Sequence, residues 1–197
     1  MCGIVGYIGP REAYPIIING LKRLEYRGYD SAGLVLSTGS EFELVKTKGK
    51  VSDLEEKSAS LDKTPHIGIG HTRWATHGVP NDVNSHPHMS NNNEIVLVHN
   101  GIIENYEAIK QLLIGKGFVF HSDTDTEVLV NFIQYIQSEN NLSLTDAVRV
   151  ALNEVVGAYA IAVLDKKDPD HIVVGRLGSP LAIGIGDNEF FIASDAS

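Results

Sequence analysis

The grouping of strand-like and helix-like segments along the chain is the strongest constraint on its fold. Runs with strand character are residues 4–8, 31–36, 42–46, 66–71, 94–99, 158–164, 171–175, 181–185 and 190–193. Segments with helical periodicity are residues 11–24, 106–116, 125–137 and 144–156, with Ser143 as the N-cap of the last. Because runs of strands are kept apart from runs of helices, the pattern predicts an α+β fold in which helices cover mostly antiparallel sheets.

The connecting segments indicate turns and one long surface loop. Residues 37–40, 165–170 and 186–188 have the composition of hairpin turns. Residues 80–93 are polar, include three consecutive asparagines, and are expected to run over the surface. No repeat, low-complexity tract or linker divides the chain, so we predict one domain over residues 1–197. The chain stops just after a strand-like run, and we therefore expect the natural protein to continue beyond it.

Two of the strand-like runs lead directly into polar, glycine-containing segments. Residues 66–71 precede 73–78, and residues 94–99 precede Asn100 and Gly101. Loops at the ends of rigid strands commonly carry binding and catalytic groups. These two loops are therefore expected to contribute to a site.

The charge balance argues against several kinds of partner. Sixteen Lys and Arg against 25 Asp and Glu give a formal net charge of -9, and no basic run is present. We therefore expect neither nucleic acid nor an anionic membrane as a partner. No apolar run approaches the roughly 18–20 residues of a membrane helix, and the N-terminus lacks the features of a signal peptide. A single cysteine cannot form an internal disulfide, so a reducing cytoplasm is expected.

That cysteine stands directly after the initiator Met1 and before Gly3. Removal of Met1 would leave a thiol and an α-amine on Cys2, with reference pKa values of about 8.5 and roughly 7.7–8.0. The amine could then act as general base while the thiolate attacks a carbonyl carbon. Alternatively, Cys2 is a small buried hydrophobic residue, which is the commoner role of a lone cysteine. Position alone favours the second interpretation, and other motifs have to decide.

Four motifs accompany the opening MCGIVG: residues 23–33 (RLEYRGYDSAG), 71–78 (HTRWATHG), 98–105 (VHNGIIEN) and 122–127 (SDTDTE). Together they resemble class II glutamine amidotransferase domains, which are N-terminal nucleophile hydrolases. Within that family the motifs are similar to the glutaminase domains of the branch that makes glucosamine 6-phosphate from fructose 6-phosphate. The resemblance spans essentially the whole chain. It implies a four-layer αββα sandwich, which is compatible with the strand and helix pattern above.

The resemblance also implies the catalytic and substrate-binding residues. Cys2 would be the nucleophile, and the Asn100 side-chain amide and the Gly101 backbone N–H would form the oxyanion hole. Arg73 would hold the α-carboxylate of glutamine, and Asp125 its α-ammonium group. From the residues alone, Asn100 and Gly101 could instead form a hairpin turn, Arg73 could be a surface cation, and Asp125 could only complement a helix dipole.

A second group of residues would close and support the site. Trp74, Thr76 and His77 match the loop that closes over bound glutamine, with Trp74 as its lid. Without the resemblance, Trp74 could equally pack on the core. Site-supporting roles fall to Gly3, Arg27 and Gly28.

No metal or other cofactor is expected. The eight histidines raise the question of a metal, above all His86 and His88 near His77, or His71 with His99. These pairs lack the helical i, i+4 spacing, and no cysteine or carboxylate completes a ligand set. No phosphate-binding glycine motif is present either.

The sequence therefore predicts hydrolysis of L-glutamine to L-glutamate and ammonia. In the full-length protein, the ammonia would pass to a C-terminal sugar isomerase domain that this chain lacks, within a homo-oligomer. One alternative is the glutaminase domain of another class II amidotransferase. The other is a module that binds glutamine without turning it over.

Overall fold

Apolar residues that alternate along the strands, and apolar stripes on the helices, produce a layered architecture. The computed structural model describes residues 2–75 and 78–195, so Met1, Thr76, His77, Ala196 and Ser197 lie outside the described residues. The strands are β1 (Gly3–Ile8), β2 (Ser31–Ser37), β3 (Phe42–Lys48), β4 (Ile67–Arg73), β5 (His88–Met89), β6 (Ile95–Ile103), β7 (Gly157–Asp165), β8 (Asp168–Leu177), β9 (Ala182–Ile185) and β10 (Phe190–Ala193). The helices are α1 (Ala13–Leu24), α2 (Val51–Lys57), α3 (Tyr106–Gly115), α4 (Asp125–Asn140) and α5 (Leu144–Glu154), with a 3-10 turn at Glu25–Arg27.

The first sheet has six antiparallel strands in the order β3-β2-β4-β1-β10-β9. Helices α1 and α2 pack on one of its faces, because α1 buries a stripe that includes Ile17 and Leu21. These side chains share one cluster with Leu34 of β2 and Leu54 of α2. Burying a side chain of this size stabilises the fold by about 1.5–3 kcal/mol relative to exposure.

The second sheet has four antiparallel strands in the order β5-β6-β7-β8, and α3, α4 and α5 cover its outer face. Helix α4 begins where the Thr124 hydroxyl accepts a hydrogen bond from Glu127 N at 3.2 Å. Helix α5 begins at Ser143, whose hydroxyl accepts from Asp146 N at 3.1 Å, as the sequence predicted. Both caps satisfy a backbone N–H that has no partner within its helix.

The two sheets pack face to face through small and branched side chains. The buried residues of this inner layer include Ile4, Val35, Ile69, Val96, Val98, Ala160 and Ala162. The order helix, sheet, sheet, helix confirms the predicted α+β fold and its four-layer αββα arrangement of the N-terminal nucleophile hydrolase type. None of the helices described over residues 2–75 and 78–195 has the length and hydrophobicity needed to cross a membrane.

One helix was missed, and two sequence-based expectations were wrong. Helix α2 was not predicted. Strands β4 and β6 continue through Arg73 and Ile103, so Arg73, Asn100 and Gly101 lie in strands rather than in loops. Residues 80–93 are not a solvated surface loop, because His86, His88 and other polar side chains of this segment are buried. They find hydrogen-bond partners in residues 122–126, which lie far away in sequence.

Candidate active site

The ends of three strands from the two sheets converge around Cys2. Cys2 precedes β1, and the pairing of Gly3 with Thr72 brings it beside the end of β4. Its sulfur accepts a hydrogen bond from Trp74 N at 3.2 Å, and the thiol lies 3.4 Å from Trp74 O. Burial raises the pKa of the Cys2 thiol, whereas the Trp74 N–H and the Arg73 charge lower it to a smaller extent. The thiol therefore needs a base before it can react at neutral pH.

A small pocket opens beside the thiol. Its walls consist of Cys2, Arg73, Trp74, His86, His99, Gly101, Thr124, Asp125 and Thr126. Five residues that the sequence predicted for the site are among them, although they are spread over more than 120 positions of the chain. The pocket is thus built from both sheets and from the first turn of α4.

Gly101 lines the pocket on the side of the second sheet, and Asn100 lies next to it on β6. The Asn100 amide donates from Nδ2 to Cys2 O at 3.2 Å, which joins the two sheets at the nucleophile. Gly101 has φ +117°, and a Cβ there would lie 2.0 Å from Ala158 O. Only glycine fits this backbone, and pairing with Tyr159 of β7 makes the residue part of a strand. The hairpin-turn alternative for these residues is therefore wrong.

Arg73 is buried in the pocket wall, with only 3% of its surface exposed, so it is not a surface cation. Its Nη2 donates to Gly78 O at 3.3 Å, and its Nη1 lies 3.8 Å from Asp30 Oδ1. Asp30 is itself fixed by hydrogen bonds from the Ser31 hydroxyl and the Ala75 N–H. The guanidinium is thereby held in place at the end of β4, where it can bind an anion.

Asp125 is the first residue of α4 and is also buried. Its Oδ2 accepts a hydrogen bond from Ile103 N at 2.8 Å, which ties α4 to the end of β6. Its Oδ1 lies 3.9 Å from His99 Nδ1. Because the carboxylate lines the pocket, it does more than complement the dipole of its helix.

Trp74 lies at the mouth of the pocket rather than in the core, with 53% of its surface exposed. Its ring covers the backbone of Gly28, where φ is +89° and a Cβ would lie 3.0 Å from the indole. Gly28 thus leaves room for the indole at this position. The two other residues predicted for the lid, Thr76 and His77, lie outside the described residues.

The predicted supporting residues hold the start of β1. A Cβ on Gly3 would lie 2.7 Å from Thr72 Oγ1, so a larger residue would push Cys2 away from β4. Arg27 donates to Ser194 O at 3.3 Å and lies 3.6 Å from Asp195. The Ser194 hydroxyl in turn accepts a hydrogen bond from Ile4 N at 2.9 Å.

A cluster of buried histidines, two of which line the pocket, was not assigned to the site from the sequence. Thr126 Oγ1 joins His86 Nε2, at 2.7 Å, to His99 Nδ1, at 3.0 Å. The His71 ring stacks on His86 with centroids 4.2 Å apart. Burial lowers the pKa of His71 to about 3 and lowers that of His86 well below its usual value. The His71 and His86 rings are therefore neutral near pH 7.

The buried histidines do not form a metal site in the part of the chain that the structure describes. Across residues 2–75 and 78–195, no three His, Cys, Asp or Glu side chains form a group that could hold a metal ion. The histidines contact hydroxyl, amide and carbonyl groups instead. The signal that could have indicated them is their position at strand ends that also carry predicted site residues, as in His71 before Arg73 and His99 before Asn100.

Comparisons with known proteins show what the chain is similar to. A family profile described as "Glutamine amidotransferase domain" matches residues 57–197. "Glutamine--fructose-6-phosphate aminotransferase [isomerizing]" of Bacteroides thetaiotaomicron is 59% identical over 198 residues, which cover 100% of this chain and 32% of that protein. The protein of the same name from Pyrococcus horikoshii is 51% identical, with 99% and 32% covered. The chain thus spans about a third of the length of the curated relatives it matches.

Solved structures show the same fold. A glutamine phosphoribosylpyrophosphate amidotransferase from B. subtilis, complexed with ADP and GMP, superposes with a TM-score of 0.83 at 31% identity. The match covers 98% of this chain and 42% of that one. A glutamine aminotransferase class-II domain protein from Silicibacter pomeroyi gives a TM-score of 0.65 at 13% identity, covering 98% and 88%, which supports the fold alone.

Proposed function

The chain belongs to the glutamine amidotransferase domain family, and we propose that it hydrolyses L-glutamine to L-glutamate and ammonia with Cys2 as the nucleophile. One observation carries the proposal: the only thiol of the chain lines a pocket with a buried guanidinium, Arg73, and a buried carboxylate, Asp125. A free amino acid presents the two complementary charges, so the pair suits the α-carboxylate and α-ammonium of glutamine. The side-chain amide of glutamine would then extend towards Cys2.

The reaction would begin with removal of Met1, which frees the α-amine of Cys2. That amine takes the thiol proton, directly or through a water, and the sulfur attacks the side-chain amide carbon of glutamine. Negative charge develops on the amide oxygen, where the Asn100 Nδ2–H and the Gly101 N–H can donate to it. The tetrahedral intermediate then collapses, the C–N bond breaks, and the α-ammonium returns a proton to the leaving nitrogen.

Water completes the cycle by attacking the glutamyl thioester, with the α-amine again acting as general base. The C–S bond breaks, glutamate leaves, and the thiol is regenerated. Trp74 at the pocket mouth, with Thr76 and His77, would limit access of water and loss of ammonia while the thioester exists.

The use of the ammonia is a further part of the proposal. The relatives that share 51–59% identity are named for fructose 6-phosphate and are about three times as long as this chain. We propose that a C-terminal sugar isomerase domain of the full-length protein receives the ammonia and makes glucosamine 6-phosphate. The alternative acceptor, phosphoribosyl pyrophosphate, is supported by a match of only 31% identity. Assembly of the full-length protein into a homo-oligomer and a cytoplasmic location stay predictions.

The decisive experiment compares the wild-type chain with Cys2→Ala and Cys2→Ser in an assay of glutamate release. Intact mass spectrometry first verifies that Met1 has been removed, and urea unfolding verifies that each variant is folded. We expect both variants to lose turnover, and a glutamine-analogue electrophile to label Cys2 of the wild type. Turnover in the folded Cys2→Ala variant, or an adduct on another residue, would contradict the mechanism. Binding of glutamine without turnover by the processed wild type would favour a binding module.

The acceptor is tested separately with the full-length protein. It is incubated with glutamine and either fructose 6-phosphate or phosphoribosyl pyrophosphate, and the amino sugar products are identified by mass spectrometry. Amination of fructose 6-phosphate alone is expected. Amination of phosphoribosyl pyrophosphate would instead assign the protein to the amidotransferases that use that substrate.

A further inference from the structure

His71 lies directly behind the amide that is proposed to stabilise the oxyanion. Its side chain is fully buried at the end of β4. Its Nε2 lies 2.8 Å from Asn100 Oδ1 and 3.0 Å from the backbone oxygen of His99. The contact crosses from the first sheet to the second, immediately beside the nucleophile.

The neighbours of the ring define its protonation state. The backbone oxygen of His99 can only accept a hydrogen bond, so Nε2 must carry the proton, which it can also share with the Asn100 side chain. His71 Nδ1 is buried and has no hydrogen-bond partner within residues 2–75 and 78–195. Protonating Nδ1 would place a second N–H, and a charge, in a buried position without an acceptor. Burial accordingly lowers the pKa of His71 to about 3, and the ring is neutral at physiological pH.

This state allows only one orientation of the Asn100 amide. With Oδ1 towards His71, the amide accepts from Nε2–H, and its Nδ2 can donate to Cys2 O at 3.2 Å. After a flip, the NH2 group would face the His71 N–H and Oδ1 would face the Cys2 carbonyl. Both new pairings are repulsive, donor against donor and acceptor against acceptor.

We propose that His71 is a positioning residue, which directs the Asn100 Nδ2–H towards the developing oxyanion. The inference rests on the proposed function, because it assigns a purpose to the orientation of that amide. Preorganised donors stabilise a transition state because they need not reorient as charge develops. The His71 ring is itself held by stacking on His86, whose Nε2 is hydrogen-bonded to Thr126. His71 does not touch the reacting atoms.

Three variants at this position separate hydrogen bonding from packing. His71→Gln can place an amide N–H where Nε2 lies, His71→Asn places its shorter amide nearer the position of Nδ1, and His71→Leu removes the donor. Removal of an oxyanion donor typically lowers kcat about 10²–10³-fold. We therefore expect kcat to fall about 10²-fold in His71→Leu and His71→Asn, and less than about 10-fold in His71→Gln.

Two controls distinguish positioning from general damage. Alkylation of Cys2 by iodoacetamide develops no oxyanion, so its rate should stay close to that of the wild type in all three variants, as should KM for glutamine. In the background of Asn100→Ala, His71→Leu should lower kcat little further, since the effect of His71 passes through that amide. Equal kcat in wild type and folded His71→Leu, or losses that multiply in the double variant, would overturn the inference.

The tautomer gives a readout that does not depend on turnover. ¹⁵N NMR of the wild-type imidazole is expected to show the Nε2–H form from pH 8 down to pH 5. An Nδ1–H form, or protonation within that range, would overturn the inference whatever the activity. Absence of glutamate release by the processed wild type would instead overturn the proposed function, so the two failures are distinguishable.

Discussion

Acidification from pH 7.5 to 5.5 is expected to destabilise this fold strongly, because it buries three neutral histidines. His71, His86 and His88 are each at most 6% exposed. Burial is the largest cause that lowers the pKa of His71 to about 3 and those of His86 and His88 well below the usual value. The positive charge of Arg73 acts in the same direction on all three, and that of Lys46 on His88.

The sign and size of the effect follow from proton binding. A histidine whose pKa is lowered on folding contributes stability that is complete above its unfolded pKa and is lost as the pH falls towards its folded pKa. With an unfolded pKa of about 6.5, each ring lowers the free energy of unfolding by about 1.4 kcal/mol between pH 7.5 and 5.5. The three together amount to roughly 4 kcal/mol, a large part of the 5–15 kcal/mol that is usual for a domain.

Urea unfolding at pH 7.5, 6.5 and 5.5 measures this loss. The range ends at pH 5.5 because most carboxylates begin to protonate below about pH 5. In His86→Phe the loss should shrink by about a third, whatever the absolute stability of that variant. The control is His171→Gln: a hydrogen bond to Asp168 raises the pKa of this exposed histidine, so its removal should not lessen the loss. A change below about 1 kcal/mol in the wild type, or NMR titration of these three rings near pH 6.5, would refute the reasoning.

Three further outcomes are expected. Gly101→Ala should abolish hydrolysis and lower the free energy of unfolding by about 2–4 kcal/mol, because φ is +117° and the new Cβ would meet Ala158 O. Urea unfolding and glutaminase kinetics measure these two effects, and near-normal stability would contradict the prediction. Arg73→Lys keeps the positive charge but loses the two-pronged guanidinium, so KM for glutamine should rise about tenfold or more with a smaller change in kcat. An unchanged KM would argue against binding of the α-carboxylate by Arg73. Thr126→Val removes the hydroxyl between two ring nitrogens and should destabilise the chain by about 1–3 kcal/mol, whereas a more stable variant would show that these bonds contribute nothing.

The fold class and most strands could be predicted from the sequence because their apolar patterns are local. The course of β6 could not. Asn100 and Gly101 have the chemistry of a turn, and only their pairing with Ala160 and Tyr159 of β7 keeps them extended. Helix α2 was missed for a related reason, since a segment of seven residues has little periodicity of its own and is held by contacts of Val51 and Leu54 with the core.

The candidate site could be predicted in part as a set of residues but not as an arrangement. The motifs named Cys2, Arg73 and Asp125, and the structure brings these side chains to one pocket. The role of the histidines depends on which partners meet each ring, and those partners come from distant parts of the chain, as when Thr126 bridges His86 and His99. Spacing in sequence carries no information on such contacts.

The hydrogen bond from Ile103 N to Asp125 has a consequence for selectivity between amino acids of different length. Ile103 lies two residues beyond Gly101 on β6, so the carboxylate at the start of α4 and the N–H of Gly101 belong to one rigid unit. For the proposed glutamine site, this unit fixes the distance between the carboxylate that binds the α-ammonium group and the N–H that binds the amide oxygen. Asparagine is one methylene shorter, so it could bind one of these two groups but would leave the other without its hydrogen-bond partner. Discrimination against it would therefore come from an unmet hydrogen bond rather than from a steric clash.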